Sequence, residues 1–201
     1  MIAIIDYGCG NLFSLSSSLE SLGIECRITS DKDEIRNADK IILPGVGAFA
    51  DAAKKLKESG LGELVISLAS EGKPILGICL GMQLLFEKSY EYGEYEGLGL
   101  IKGSVRYMDE PDLIIPHMGW NKLEKLNECP LLENIGDNEY VYFVHSYKAE
   151  CADKNISAYS EYGGKVPALV FDGKFVYGAQ FHPEKSGETG LKILRSFGGL
   201  I

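Results

Sequence analysis

The chain has 201 residues, of which 45% are hydrophobic and 24% are charged, and its formal net charge is −9. These proportions fit one α/β domain with a substantial core, and we predict a single domain over residues 1–201. The acidic balance argues against a broad nucleic-acid-binding surface, and no apolar run approaches the roughly 18 residues that span a membrane.

The first half of the chain alternates short apolar runs with amphipathic stretches. The apolar runs predict buried strands, and the amphipathic stretches predict helices, some of which end at a glycine. Strands joined by helices through short connections favour parallel pairing with right-handed crossovers. The predicted strands are 2–6, 24–29, 40–45 and 74–79, and the predicted helices are 11–23, 48–60, 61–73 and 80–89.

From about residue 100 the pattern changes to closely spaced strand-like runs. Asp172 and Gly173 separate two runs that are rich in aromatic and β-branched residues, which predicts a hairpin. A last helix is predicted over 189–201. We therefore predict an α/β fold with a mixed, mostly parallel sheet flanked by helices, and with antiparallel strands added in the C-terminal half.

The cysteines and the opening residues indicate a cellular location. The five cysteines are odd in number and widely spaced, and none forms a C-x-x-C pair. Zinc sites and disulfide frameworks use closer pairs, so we predict no metal site and reduced thiols. Residues 1–11 lack the basic segment and the long apolar run of a secretory signal. These features predict a cytoplasmic protein.

One cysteine lies between two glycines, in the sequence GICLGMQ of residues 77–83. Cys79 falls at the carboxyl end of a predicted central strand, where α/β sheets bind their ligands, and a helix begins there. Gly77 and Gly81 leave room for a tight strand–turn–helix elbow, and a helix N-terminus stabilises a thiolate. The pattern indicates a nucleophile. The competing interpretation is a buried cysteine that acts as a small hydrophobe.

A thiol nucleophile needs a base, and the chain has three histidines. His182 ends the last predicted strand of the hairpin, and Glu184 follows two residues later. Residues i and i+2 of an extended segment share a face, so Glu184 can orient the ring of His182 toward Cys79. Taken alone, His-Pro-Glu would indicate a strand end with a solvated carboxylate. His117 and His145 are predicted to be packed or hydrogen-bonded instead.

These motifs resemble those of the class I, or triad, glutamine amidotransferases, which have a flavodoxin-like fold. The resemblance covers essentially the whole chain, and many members share G-x-C-x-G-x-Q with a distant H-P-E. Other motifs are similar more narrowly to the glutaminase subunits of imidazole glycerol phosphate synthase; they are DYGCGNL, LPGVGAF and PHMGWN. One departure is Phe13, at a position where arginine is frequent in that group.

The resemblance implies a reaction on L-glutamine. Cys79 would attack the side-chain amide carbon, His182 would carry the thiol proton to ammonia, and Glu184 would hold the imidazole. Water would hydrolyse the γ-glutamyl thioester to glutamate, without a cofactor. The ammonia would pass, within a heterodimer, to a (β/α)8 cyclase subunit that makes imidazole glycerol phosphate and AICAR in L-histidine biosynthesis.

The resemblance also implies further site residues. The oxyanion would be held by the amide of Leu80 and by an amide of the Pro-Gly-Val-Gly loop, that of Val46 or Gly47. This loop is expected to rearrange when the partner binds. The residues expected to bind the substrate are Gly47, Gln83, Ser146 and Tyr147. The residues expected at the partner interface are Asn11, Trp120, Asn121, Tyr142 and Lys185.

Other functions fit part of the pattern. A paralogous amidotransferase subunit in surface-polysaccharide sugar modification would share the motifs. Glutaminases of GMP synthase and stand-alone pyridoxal-phosphate glutaminases fit less well. A DJ-1-like cysteine redox or stress module would pair its elbow cysteine with an acidic residue from early in the chain and would not require His-Pro-Glu. In a purely structural binding module, Cys79 would only contribute packing.

Overall fold

The computed structural model describes residues 1–109 and 113–200. Within these residues the helices are α1 (Leu12–Ser21), α2 (Lys32–Asn37), α3 (Phe49–Ser59), α4 (Leu61–Ser70), α5 (Leu80–Leu84) and α6 (Gly187–Gly199). The strands of the first half are β1 (Ile2–Ile5), β2 (Cys26–Thr29), β3 (Lys40–Leu43), β4 (Ile75–Ile78), β5 (Phe86–Ser89) and β6 (Tyr95–Glu96). The later strands are β7 (Ile101–Tyr107), β8 (His117–Lys122), β9 (Glu124–Lys125), β10 (Tyr140–His145), β11 (Tyr147–Glu150), β12 (Ile156–Glu161), β13 (Lys165–Phe171) and β14 (Val176–Ala179).

The main sheet has eight strands in the order β2-β1-β3-β4-β14-β13-β12-β9. The first five pair in parallel, and the last three are added antiparallel. The fully apolar strands β1 and β4 are buried along their whole length, as parallel strands covered on both faces should be. The predicted α/β fold with a mostly parallel sheet is therefore confirmed.

The sheet separates two apolar cores. Ala3 and Ile5 belong to one cluster, whereas Ile2 and Ile4 belong to the other. Because successive side chains of a strand point to opposite faces, one cluster lies on each side of the sheet. Helices α3 and α4 cover the first cluster, and α1 and α6 cover the second.

The remaining strands form two smaller sheets. One has the order β11-β7-β5-β6, and the other pairs β10 with β8. The predicted antiparallel strands are therefore present, although only β9, β12 and β13 extend the main sheet. The predicted hairpin joins β13 to β14, and its turn is fixed by the Asp172 carboxylate, which accepts the amides of Lys174, Phe175 and Val176.

Two details of the predicted helices were wrong. The helix expected over 80–89 ends at Leu84, because the amides of Leu98 and Leu100 donate to the carbonyls of Leu84 and Leu85 that a longer helix would use. Residues 86–89 form β5 instead. Helix α2 was not predicted, although Asp31 caps its N-terminus by accepting two amides. Ile201, the last residue of the predicted C-terminal helix, lies outside the described residues.

The order of the central strands determines where the functional residues meet. β4 and β14 are parallel neighbours, with Ile78 opposite Ala179, so their carboxyl ends lie side by side. Cys79 follows β4, and His182 comes soon after β14. Loop 44–48 follows β3, the other neighbour of β4. Three segments that are distant in sequence therefore converge at one edge of the sheet. Among the described helices, none is both long and apolar enough to cross a membrane.

Candidate active site

Cys79 occupies a strained turn between β4 and α5. Its φ of +54° and ψ of −111° lie in a backbone region that non-glycine residues rarely adopt. The surrounding backbone holds this conformation, because the Cys79 amide donates to the Ala179 carbonyl at 2.7 Å and the Cys79 carbonyl accepts the Gln83 amide at 3.1 Å. Strain of this kind concentrates at functional sites, and here it belongs to the residue with the thiol.

The glycines on either side of Cys79 are required by close backbone contacts. A Cβ atom on Gly81 would lie 1.8 Å from the carbonyl oxygen of Leu43 in β3. A Cβ on Gly77 would lie 2.6 Å from the carbonyl oxygen of Gly81. Both positions are therefore closed to any side chain, and the turn packs directly against the neighbouring strand.

We expect Gly81→Ala to destabilise the fold by about 3 kcal/mol or more, because the new methyl group overlaps backbone that cannot move independently. The measurement is urea unfolding followed by circular dichroism. Gly199→Ala is the matched control, since nothing lies within 4 Å of its Cβ position and the expected change is within about 0.5 kcal/mol. A Gly81→Ala protein as stable as the Gly199→Ala protein would contradict the packing described.

His182 and Glu184 form a buried pair. The ring Nδ1 lies 2.9 Å from the Glu184 Oε1 atom, and each side chain is 3% exposed. The two side chains meet through a 3₁₀ turn at Pro183–Lys185 rather than along an extended segment. The amide of His182 donates to the carbonyl of Tyr142 at 3.0 Å, which ties this turn to β10. Because Glu184 accepts from Nδ1, the Nε2 atom is left for another partner.

The neighbouring thiol of Cys79 is one of the groups that set the pKa of the His182 ring. Burial lowers this pKa, but the interactions with Cys79 and Glu184 outweigh the effect of burial and raise the pKa to about 9. The raised pKa means that the surroundings favour the imidazolium form. The geometry provides a thiol, a ring that can take its proton, and a carboxylate that orients the ring, which suits acyl transfer through a thioester.

A cavity of about 460 Å³ opens in front of the thiol. Cys79 and His182 line it, together with the residues predicted to bind a substrate, which are Gly47, Gln83, Ser146 and Tyr147. Val46 and Leu80, predicted to supply oxyanion amides, also line it. The structure therefore brings every predicted catalytic, oxyanion and substrate residue to one site, with Glu184 behind the His182 ring.

The loop between β3 and α3 is anchored at both ends. The buried Tyr7 hydroxyl donates to the Pro44 carbonyl at 2.7 Å, and the Glu91 Oε2 atom accepts the Phe49 amide at 2.6 Å. Between these anchors, Val46 is 45% exposed and Gly47 has a φ of +95°. The exposed stretch with a glycine at its centre can change its peptide orientation without moving β3 or α3.

Two polar side chains near the thiol were not predicted. Gln180 is fully buried; its Nε2 atom lies 3.8 Å from the Cys79 sulfur, and its Oε1 atom accepts from the Gln83 Nε2 at 3.0 Å. Because Gln180 lies two residues before His182, the alternation of an extended segment could have indicated it. Glu91, which lines the cavity and caps α3, could not have been found, since it reaches 42 residues along the chain.

The residues predicted at a partner surface are distributed around the same end. Trp120 is 54% exposed and lies opposite Tyr142 in the β8–β10 pair, with ring centroids 6.0 Å apart. Asn121 follows Trp120, and Lys185 is exposed in the turn after His182. Asn11 precedes α1, which packs against that turn. Within residues 1–109 and 113–200, no cluster of three or more His, Cys, Asp or Glu side chains could hold a metal ion.

Comparison with known proteins identifies the family. The family model for class I glutamine amidotransferases matches residues 3–198.

The chain belongs to the class I glutamine amidotransferase family.

Among the amidotransferases it resembles, a Bacillus cereus protein named imidazole glycerol phosphate synthase subunit HisH is 51% identical over 201 residues, covering 100% of this chain and 95% of that protein. A Listeria monocytogenes protein of the same name is 50% identical over 198 residues, covering 98% and 94%. A Caldanaerobacter subterraneus protein, also of that name, is 50% identical over 202 residues, covering 100% and 98%.

Solved structures show the same amidotransferase fold at low sequence identity. A crystal structure titled as a glutamine amidotransferase has a TM-score of 0.77 and 22% identity, and covers 100% of both chains. The PurLQS structure from Thermotoga maritima also gives a TM-score of 0.77, with 23% identity, 98% of this chain and 96% of that one. The fold is therefore that of class I glutamine amidotransferases.

Proposed function

We propose that the chain is the glutaminase subunit of an imidazole glycerol phosphate synthase, and that it hydrolyses L-glutamine to glutamate and ammonia for histidine biosynthesis. The single observation that carries the glutaminase activity is the strained Cys79 turn with the buried His182–Glu184 pair beside the thiol. The assignment to this synthase is supported by relatives that are about half identical over their full length.

The proposed reaction begins at the sulfur of Cys79. The thiol proton passes to Nε2 of His182 before the attack, because the pKa of His182 is raised to about 9 and Glu184 stabilises the imidazolium. The sulfur then attacks the amide carbon of glutamine. The tetrahedral oxyanion is held by the amide of Leu80 and by that of Val46 or Gly47. The imidazolium then returns its proton to the departing ammonia, leaving a thioester on Cys79.

Water completes the cycle. His182 takes a proton from the water as its oxygen attacks the thioester carbon, and the carbon–sulfur bond breaks to release glutamate and the thiol. No cofactor is needed for either half. Gly47, Gln83, Ser146 and Tyr147, which line the cavity, are proposed to bind the amino-acid end of glutamine. The Gln83 Nε2 atom donates to the Tyr147 carbonyl at 3.1 Å, so these two residues act together.

The ammonia is proposed to pass to a (β/α)8 cyclase subunit, in a heterodimer that yields imidazole glycerol phosphate and AICAR. The proposed contact residues are Asn11, Trp120, Asn121, Tyr142 and Lys185. An exposed tryptophan packed against a tyrosine is a typical anchor of protein interfaces, which supports the choice of this face. Phe13 is 79% exposed on α1, so a partner surface that is complementary to arginine at this position would contact an apolar ring instead.

The remaining parts of the proposal concern organisation and location. We propose one domain over residues 1–201, since the main sheet joins strands from both halves of the chain. We also propose that the protein works in the cytoplasm, which is supported by five free cysteines at positions 9, 26, 79, 129 and 151.

The test of this function is glutamate release from glutamine. It is measured for the chain alone, then with the cyclase subunit of the same organism, and then with that subunit and its nucleotide substrate. A large increase in the full mixture supports the proposal. No increase, with a folded chain and a cyclase that works with ammonium salt, would contradict it and favour the polysaccharide paralogue.

We expect His182 to titrate near pH 9, because its folded-state pKa is raised to about 9 by Cys79 and Glu184 despite burial. Stability that depends on this proton is complete below pH 6.5, the pKa of a free histidine, and is lost as pH rises through about 9. Glu184→Gln should lower the His182 pKa toward 6.5. The measurement is a pH titration of the imidazole NMR signals, of which the three histidines give few enough to resolve. A wild-type His182 midpoint near pH 6.5 would refute the raised pKa.

A further inference from the structure

A line of buried hydrogen bonds leads from the cavity toward the face that carries Trp120. The Nδ1 atom of His145 lies 2.8 Å from the Tyr147 carbonyl oxygen. The Nε2 atom of His145 lies 3.0 Å from Nδ1 of His117, and Nε2 of His117 lies 2.9 Å from the side-chain amide of Asn121. We call Tyr147, His145, His117 and Asn121 the histidine chain.

Strand pairing and packing fix the histidine chain in place. His145 and His117 are directly opposite each other in the β8–β10 pair. His117 is fully buried, and its ring is stacked between Phe143 at 4.5 Å and Tyr162 at 4.0 Å between centroids. His145 is buried as well, and the nitrogens of buried rings need hydrogen-bond partners.

The number of protons available to the histidine chain determines which atom donates in each of its hydrogen bonds. Its three hydrogen bonds need three protons, whereas two neutral imidazoles supply only two. Burial lowers the pKa of His117, and it lowers that of His145 to about 3, so neither ring carries a second proton at neutral pH. All three hydrogen bonds therefore form only when Asn121 supplies the third proton, which requires its NH₂ group to face His117.

This orientation has a consequence for the exposed side of Asn121. When its Oδ1 atom faces His117, its Nδ2 atom donates to the Glu161 carbonyl at 3.3 Å, and the histidine chain is one proton short. When the side-chain amide is rotated so that Nδ2 faces His117, all three hydrogen bonds of the histidine chain can form. Oδ1 then replaces Nδ2 beside the Glu161 carbonyl and needs a donor. The two orientations are therefore closely balanced, and a donor from outside would decide between them.

We propose that the histidine chain is a positioning device, in which a hydrogen-bond donor on the partner engages Oδ1 of Asn121 and thereby fixes the Tyr147 carbonyl in the glutamine cavity. This inference rests on the proposed function. The Tyr147 carbonyl also accepts from Gln83, which is bonded to Gln180 beside the Cys79 sulfur. His145 lines the cavity, and His117 and Asn121 act on substrate binding through it and through these neighbours.

The direct test is the protonation of the two rings at pH 7 in the complex with the cyclase subunit, compared with the protein alone. Because the protein has three histidines, nitrogen-15 NMR of the imidazoles resolves each ring. In the complex we expect His145 and His117 to carry their protons on Nδ1 and to have bare Nε2 atoms. A proton on Nε2 of His117 in the complex would overturn the inference, as would ring protonation that is the same with and without the cyclase subunit. In Asn121→Asp, which has no donor, His117 is expected to become an imidazolium, and an unchanged neutral ring would also overturn it.

The kinetic test uses the complex with the cyclase subunit and its nucleotide. His117→Phe keeps the stacked ring but removes two hydrogen bonds, and we expect KM for glutamine to rise about tenfold with kcat within threefold. Phe143→Leu is the matched control, since it removes stacking and keeps the hydrogen bonds; its KM should stay within threefold. Equal effects of the two variants would refute the positioning role, whereas an inactive wild-type complex would refute the proposed function instead. If His117→Phe does not fold, the ring protonation of the wild-type complex still decides.

Discussion

Cys79→Ala is expected to lower glutamine-dependent product formation by the complex by about 10⁴-fold or more, because the bond-forming atom is removed. Synthesis from ammonium salt should stay within twofold, since ammonia would enter after the step that needs the thiol. The measurement compares the two nitrogen sources in one complex with the cyclase.

The matched control is Cys151→Ala, a second free cysteine that lines a different cavity. It should leave both activities within twofold. Glutamine turnover that survives Cys79→Ala would mean that another group is the nucleophile. Loss of both activities would indicate a structural role for the thiol, as in a module that uses Cys79 only for packing.

His182→Ala is expected to lower glutamine turnover by about 10³-fold or more and to leave ammonia-dependent synthesis within threefold. The His182 ring lies between the Cys79 thiol, which influences its pKa, and the Glu184 carboxylate, so its removal is expected to leave the thiol without a base. The same two nitrogen sources provide the measurement.

Glu184→Gln serves as the graded control for the base. Glutamine keeps the size of the side chain but removes the charge that stabilises the imidazolium, so its activity should fall between wild type and His182→Ala. If His182→Ala retained more turnover than Glu184→Gln, the base would have to be sought elsewhere.

The nucleophile turn could be predicted because its determinants are local. Gly77, Cys79 and Gly81 lie within five residues, and the contacts that exclude side chains at the two glycines involve the turn itself and the adjacent strand. The pairing of His182 with Glu184 is local as well. Residue types at short spacing are enough to predict features of this kind.

The parts that were missed depend on partners distant in sequence. Gln180 contacts the sulfur only because β14 is the neighbour of β4, and Glu91 caps a helix that begins at Phe49. The end of α5 was misplaced because Leu84 and Leu85 are apolar and buried, a pattern that fits a helix or a strand equally well. In each case the hydrogen bonds that determine the structure involve a segment distant in sequence, and the local residue pattern does not predict where that segment lies.

The position of β14 in the main sheet also determines when the site around Cys79 can form during protein synthesis. β14 is inserted between β4 and β13, so the sheet cannot close until residues 176–179 have left the ribosome. His182 lies 103 residues after Cys79. At about 5–20 residues per second, the proposed nucleophile is therefore synthesised roughly 5–20 seconds before its proposed base.

During that interval the apolar edge of β4 has no partner on one side, and such an edge can pair with other chains. A nascent or truncated chain that stops before β14 therefore contains the proposed nucleophile without its proposed base. Because β14 is synthesised near the end of the chain, the proposed active site and the complete main sheet form at the same stage. An unfinished copy is therefore expected to release no ammonia.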